Sequence, residues 1–188
     1  MSIAIVFPGQ GSQSVGMLAD LAAARPEVRA TFEEASQVLG YDLWRLCREG
    51  PESALNETER TQPALLAAGV AAWRAWCDER GPVPVAMAGH SLGEITALVC
   101  AGSIGFAAAV DLVRFRGRAM QEAVPAGAGA MAAVLGLEDG EVAAACAEAA
   151  GGDVVVPVNY NSPGQIVIAG DAAAVARALE ACRARGAK

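Results

Sequence analysis

The sequence predicts an α/β protein with a parallel-stranded core, followed by a smaller lobe of different rhythm. Three observations carry this. Residues 3–7 (IAIVF) and 83–88 are short apolar runs with the look of buried strands, and each ends in a glycine-containing turn. Long helical patterns separate the two runs, as parallel strands require. After a linker at 125–129 (PAGAG) the pattern changes to strand, helix, strand, strand, helix.

In chain order, the first strand feeds Pro8-Gly9-Gln10-Gly11-Ser12-Gln13. Helical periodicity follows over about 17–40, interrupted at Pro26. A short helix is expected at 44–48, then a loop with Pro51. Thr61-Gln62-Pro63 is read as opening a helix that runs to about 80, with Leu65, Leu66, Ala68, Ala72 and Trp76 turned inward. The second strand ends in Gly89-His90-Ser91-Leu92-Gly93, where a helix begins and runs to about 101; another spans about 106–124. In the smaller lobe, strands are expected at 130–137, 154–159 and 165–169, the last two joined by a turn at 161–164. Helices are expected at 139–150 and 171–185, with Asp171 as N-cap. That is one strand short of the ferredoxin-like β-α-β-β-α-β unit, so the polypeptide is expected to be incomplete at its C-terminal end. The lobes are placed at 1–124 and 125–188.

Composition narrows the function classes. The chain has 188 residues, of which 54% are hydrophobic and 19% charged, which excludes intrinsic disorder. A net charge of −7 argues against a nucleic-acid partner. The longest uncharged helical stretch, 63–73, is too short to span a bilayer, and no basic residue precedes Arg25 to start a signal peptide. No membrane association is expected, and the cytoplasm is the expected compartment. The five cysteines (Cys47, Cys77, Cys100, Cys146 and Cys182) form no CxxC or CxxH pair, so no metal site or disulfide framework is expected. The only histidine is His90 and the only lysine is Lys188.

Gly89-His90-Ser91-Leu92-Gly93 is a G-x-S-x-G between strand and helix. That context places a serine on a strained turn, its Oγ pushed out at the end of the sheet. The Leu92 N–H, at the helix start, can face an oxyanion. A second donor should come from the loop after another strand, and Pro8-Gly9-Gln10-Gly11 is so placed. The same loop fails as a dinucleotide-binding fingerprint, because Ser14 stands where the third glycine belongs. Arg114 and Arg118 share one face of the 106–124 helix, and Arg116 points the other way, amid Ala109, Leu112, Val113, Ala119, Met120 and Ala123. A guanidinium there must find an anion, either a core carboxylate or the carboxylate of a substrate. His90 is next to Ser91 on a sharp turn and is read as a packed residue supporting the turn, not as its base. Lys188 is terminal, so no convincing base for Ser91 is present.

These residues resemble those of the malonyl-CoA:acyl-carrier-protein transacylases and the wider acyltransferase domains of fatty-acid and polyketide synthesis. The resemblance runs from Ile3 to Lys188. It rests on Val6 to Gln13 (VFPGQGSQ), Thr61-Gln62-Pro63-Ala64, Ala88 to Glu94 (AGHSLGE), Arg116-Gly117 with Met120-Gln121, and Asn159 to Gln165 (NYNSPGQ). It implies an α/β-hydrolase-like lobe with an inserted ferredoxin-like lobe. It implies a ping-pong transfer in which Ser91 takes malonyl from malonyl-CoA and passes it to the phosphopantetheine thiol of acyl carrier protein. The N–H groups of Gln10 and Leu92 would form the oxyanion hole, Arg116 would hold the malonyl carboxylate, and Gln62, His90 and Met120 would be candidates for lining the pocket. No resident cofactor is implied, and a monomer is expected. The family's catalytic histidine has no counterpart here, so the chain as it stands is expected to be inactive or nearly so. The alternatives are a serine esterase or thioesterase of related fold, and a non-catalytic fragment.

Overall fold

The computed structural model describes residues 2–125 and 127–188. They form a mixed α/β structure of two compact units that divide between Glu122 and Ala123.

In the first unit, β1 (Ala4–Phe7) pairs in parallel with β2 (Ala86–Gly89), with Ala4 opposite Ala86 and Phe7 opposite Gly89. A parallel pair needs a long crossover. Here it is supplied by α1 (Ala19–Ala24), α2 (Pro26–Leu39), α3 (Leu43–Glu49), α4 (Glu52–Leu55) and α5 (Thr58–Asp78). Because Phe7 and Gly89 are level, the loops that follow the two strands leave the same edge of the sheet. α6 (Leu92–Cys100) and α7 (Phe106–Glu122) complete the unit.

The first unit's core lies among α2, α5 and α7, around Val28, Phe32, Leu66, Val110 and Val113, with Trp44 edge-on to Phe32 at 5.1 Å between ring centres. Pro26 starts α2, as its missing N–H allows, and Gly40 ends it in the left-handed region with φ 78°. Pro63 lies inside α5, not at its start, so the helix begins about a turn earlier than the sequence suggests. Thr61 helps hold that first turn, its Oγ1 donating to the carbonyls of Leu55 at 2.6 Å and Glu57 at 3.1 Å. Ala72 and Trp76 face outward, contrary to expectation; the Trp76 ring instead reaches the Pro82 carbonyl with its Nε1. The short α4 after Pro51 was not expected from the sequence.

The second unit has strands β3 (Gly129–Leu135), β4 (Val155–Ser162) and β5 (Gln165–Asp171), in the antiparallel order β3-β5-β4. Helices α8 (Asp139–Ala150) and α9 (Ala172–Ala184) pack on the sheet around Val134, Val142, Ile166, Ile168 and Val175. β4 runs on to Ser162, so the hairpin turn is only Pro163-Gly164, with Gly164 at φ 74°. Asp171 stands at the N-cap of α9, but its side chain does not cap the helix; its Oδ2 accepts from the Val154 N–H at 2.8 Å. α8 is closed by a reciprocal capping pair, Glu138 and Glu141. Lys188 exchanges both backbone hydrogen bonds with Leu135 on β3.

Among the described residues, no helix is long and apolar enough to cross a membrane, and no cluster of His, Cys, Asp or Glu could hold a metal ion. Burial pushes the Cys47 and Cys100 thiols up to about 12, while Cys77 is exposed. Iodoacetamide at pH 8, read by peptide mass spectrometry, should therefore modify Cys77 first and leave Cys47 untouched until the protein unfolds. Equal rates at Cys47 and Cys77 would contradict this burial.

Candidate active site

The site begins with the turn from β2 into α6. Ser91 has φ 54° and ψ −109°, which strains any residue with a side chain. The strain is held by close backbone packing on either side. A Cβ at Gly89 would overlap the Gly93 carbonyl, and a Cβ at Gly93 would overlap the Phe7 carbonyl oxygen. Both glycines are thus required by contact: β2 against its own following helix, and α6 against the end of β1. The Ser91 side chain is left exposed at the sheet edge.

The loop after β1 lies against this turn, since a Cβ on Gly9 would come within 3.1 Å of the His90 carbonyl oxygen. Its own side chains brace it. Ser12 Oγ donates to the Gly9 carbonyl at 2.9 Å, and Gln13 Oε1 accepts from the Gly11 N–H at 2.8 Å. Gln13 Nε2 then donates to Asn56 Oδ1 at 2.7 Å. Neither the Gln10 N–H nor the Leu92 N–H makes a hydrogen bond among the described residues, so both are available to an incoming oxygen. The bracing residues Ser12, Gln13 and Asn56 were not recognised as such from the sequence; the polar, glycine-broken stretch around them was the available signal.

Arg116 closes the site from α7. Gly117 lets α7 approach α5 closely: a Cβ there would come 2.7 Å from Glu59 Cα and the Thr58 carbonyl oxygen. That contact brings Arg116 beside Gln62. Nη1 of Arg116 donates to Gln62 Oε1 at 3.0 Å, and Nη2 donates to Ser91 Oγ at 2.9 Å. The setting of Arg116 differs from the sequence reading. The buried face of α7 is Phe106, Ala109, Val110, Val113 and Gly117, whereas Leu112, Ala119, Met120 and Ala123 are exposed. Arg116 is half-buried at the border of that face, because the packing of α5 and not the helix wheel alone decides what is covered. Every other half-buried arginine has a carboxylate partner: Arg25 with Glu79, Arg60 with Glu57, Arg74 with Glu34, Arg114 with Asp111 and Arg185 with Glu148. Arg116 has none among the described residues.

Residues 4–188 match the acyl transferase domain family. The chain belongs to that family. It is 64% identical over 185 residues to the malonyl CoA-acyl carrier protein transacylase of Escherichia coli strain K12, covering 98% of this chain and 60% of the relative. It superposes on the structure of the Coxiella burnetii malonyl CoA-acyl carrier protein transacylase with a TM-score of 0.98 at 54% identity, covering 100% of this chain and 60% of that one. A type II polyketide-synthase acyl-carrier protein in complex with its malonyl-transacylase gives a TM-score of 0.97 at 61% identity, covering 100% and 61%. The chain thus spans about 60% of the length of the relatives it matches.

In this acyl transferase domain, Ser91, Arg116 and Gln62 converge, Leu92 follows Ser91 at the start of α6, Met120 joins through its Sδ, 3.3 Å from Gln62 Nε2, and Gln10 reaches Thr58 Oγ1 with its Nε2 at 3.4 Å. The His90 side chain is exposed, not packed beneath the turn; it makes no hydrogen bond to Ser91 among the described residues, and its Nδ1 faces the loop after β1, 3.6 Å from where a Cβ on Gly9 would stand. An apolar groove of about 620 Å³ lies along β1 and α5 between Ile3, Ile5, Leu65 and Trp73, and neither Ser91 nor Arg116 lines it.

Proposed function

We propose that the protein moves a malonyl group from malonyl-CoA to the phosphopantetheine thiol of an acyl carrier protein, through an ester on Ser91. The observation that carries this is the half-buried Arg116, without a carboxylate partner, 2.9 Å from Ser91 Oγ. In a malonyl ester the free carboxylate stands one methylene from the carbonyl, so a cation beside Oγ is within its reach. Ser91 Oγ attacks the thioester carbonyl, and the C–S bond to coenzyme A breaks. The N–H groups of Gln10 and Leu92 take the developing oxyanion. The sulfur leaves as the thiol, with the serine's proton. The carrier thiol then attacks the ester, its proton returns to Ser91, and the malonyl thioester departs.

Arg116, the side chain hydrogen-bonded to Ser91 Oγ, cannot accept its proton. The 188-residue chain is therefore expected to bind the substrate but to acylate slowly at most. In this reading the first unit is part of an α/β-hydrolase-like lobe and the second a ferredoxin-like lobe without its last strand. No resident cofactor takes part, and the chain is a monomer in the cytoplasm. An esterase would share the turn but gain nothing from Arg116, and hydrolysis exceeding transfer in the presence of carrier protein would favour it.

Calorimetric titration of the chain tests the clamp. Malonyl-CoA should bind roughly 10-fold or more tighter than acetyl-CoA, the size expected for a hydrogen bond between charged groups. Arg116→Ala should erase the difference. Equal affinities of the unaltered chain for both thioesters would overturn the proposal.

A further inference from the structure

We propose that Gln62 is a positioning residue: it fixes the Arg116 guanidinium with a neutral acceptor, so that the positive charge stays available to an anionic acyl group. The proposal rests on the reading of Arg116 as the carboxylate clamp and deepens it. Gln62 lies on α5 and is fully buried, 0% exposed. A buried amide has to have its polar atoms met. Its Oε1 accepts from Arg116 Nη1 at 3.0 Å, and its Nε2 faces Met120 Sδ at 3.3 Å, a weak acceptor. Turning the amide over would set its NH2 against the guanidinium, donor to donor. The amide is thus held in one orientation, and it holds Nη1 in turn.

A glutamate has almost the same shape and would accept the same bond, but it would also neutralise the guanidinium. That is the arrangement at Arg25, Arg60, Arg74, Arg114 and Arg185, each paired with a carboxylate. At Arg116 the partners are an amide and a hydroxyl, neither of which carries charge. The guanidinium is therefore oriented without being satisfied electrostatically, which is what selection of a negatively charged acyl group requires.

The test compares the unaltered chain with Gln62→Glu and Gln62→Met by titration calorimetry. The ligands are malonyl-CoA, acetyl-CoA and the uncharged carboxamide analogue of malonyl-CoA, and the fold of each variant is verified by its melting curve. Gln62→Glu should weaken malonyl-CoA by about 10-fold or more while leaving the two uncharged acyl groups within about twofold. Gln62→Met, which removes the acceptor without adding charge, should weaken malonyl-CoA less than Gln62→Glu does. Losses equal across all three ligands, or equal in the two variants, would reduce Gln62 to a packing residue and overturn the inference. If the unaltered chain prefers malonyl-CoA and Gln62→Glu keeps that preference, the inference fails alone. If the unaltered chain shows no preference, the proposed function fails and this inference with it.

Discussion

Replacing Ser91 by alanine should abolish covalent labelling by radiolabelled malonyl-CoA, because the ester then has no oxygen to form on. Ser91 is the hydroxyl that the turn between β2 and α6 presents beside both Arg116 and the free N–H groups. Transfer to the carrier should fall to what binding and the oxyanion donors alone contribute. Binding of malonyl-CoA should change little, since Arg116 keeps its contact with Gln62. The same position supplies a stability readout. Alanine retains the strain of φ 54°, whereas glycine relieves it, so Ser91→Gly should be more stable than Ser91→Ala by about 1 kcal/mol. Equal labelling of the unaltered protein and Ser91→Ala would remove this serine from the chemistry.

Gly93→Ala should give a large loss of stability for the addition of a single methyl group. The new Cβ would overlap the Phe7 carbonyl oxygen and lie 2.9 Å from the Pro8 carbonyl oxygen. Both are backbone atoms, so no side chain can turn aside, and α6 must move off the end of β1. A loss of about 3 kcal/mol is expected, the upper part of the range for overpacking. Melting of the first unit should drop by roughly 10 °C. Gly105→Ala is the control, since a Cβ there meets nothing within 4 Å and should leave the melt unchanged. If Gly93→Ala melted with the unaltered protein, the contact between α6 and β1 would not be tight.

The parts of the site that were legible in the sequence are those set by local geometry. A strand, then glycine, serine and glycine, then a helix start constrain the Ser91 turn within a few residues. The opposite facing of Arg114 and Arg116 follows from helix period, and Arg114 indeed turns to Asp111. What was not legible depends on contacts far apart in the chain. Gln62 and Arg116 are separated by 54 positions and meet because Gly117 lets α7 approach the first turn of α5. That approach covers Val110 and Val113 but leaves Met120 outside, which a helix wheel cannot foresee. The start of α5 was misplaced because Pro63, usually a mark of a helix beginning, is tolerated inside one here. In the second unit, alternation and turn residues located each element to within a few residues, because each strand and helix there is bounded by its own local signals.

The level ending of β1 and β2 has a further consequence. Each residue of a strand advances the chain by about 3.3 Å and reverses the face to which side chains point. One residue inserted or deleted between Ala4 and Gln10 would therefore shift that loop's amide by more than a hydrogen bond can stretch, whatever amino acids were used. Across this stretch spacing is constrained more tightly than chemical identity, and indels there should be tolerated far less well than substitutions.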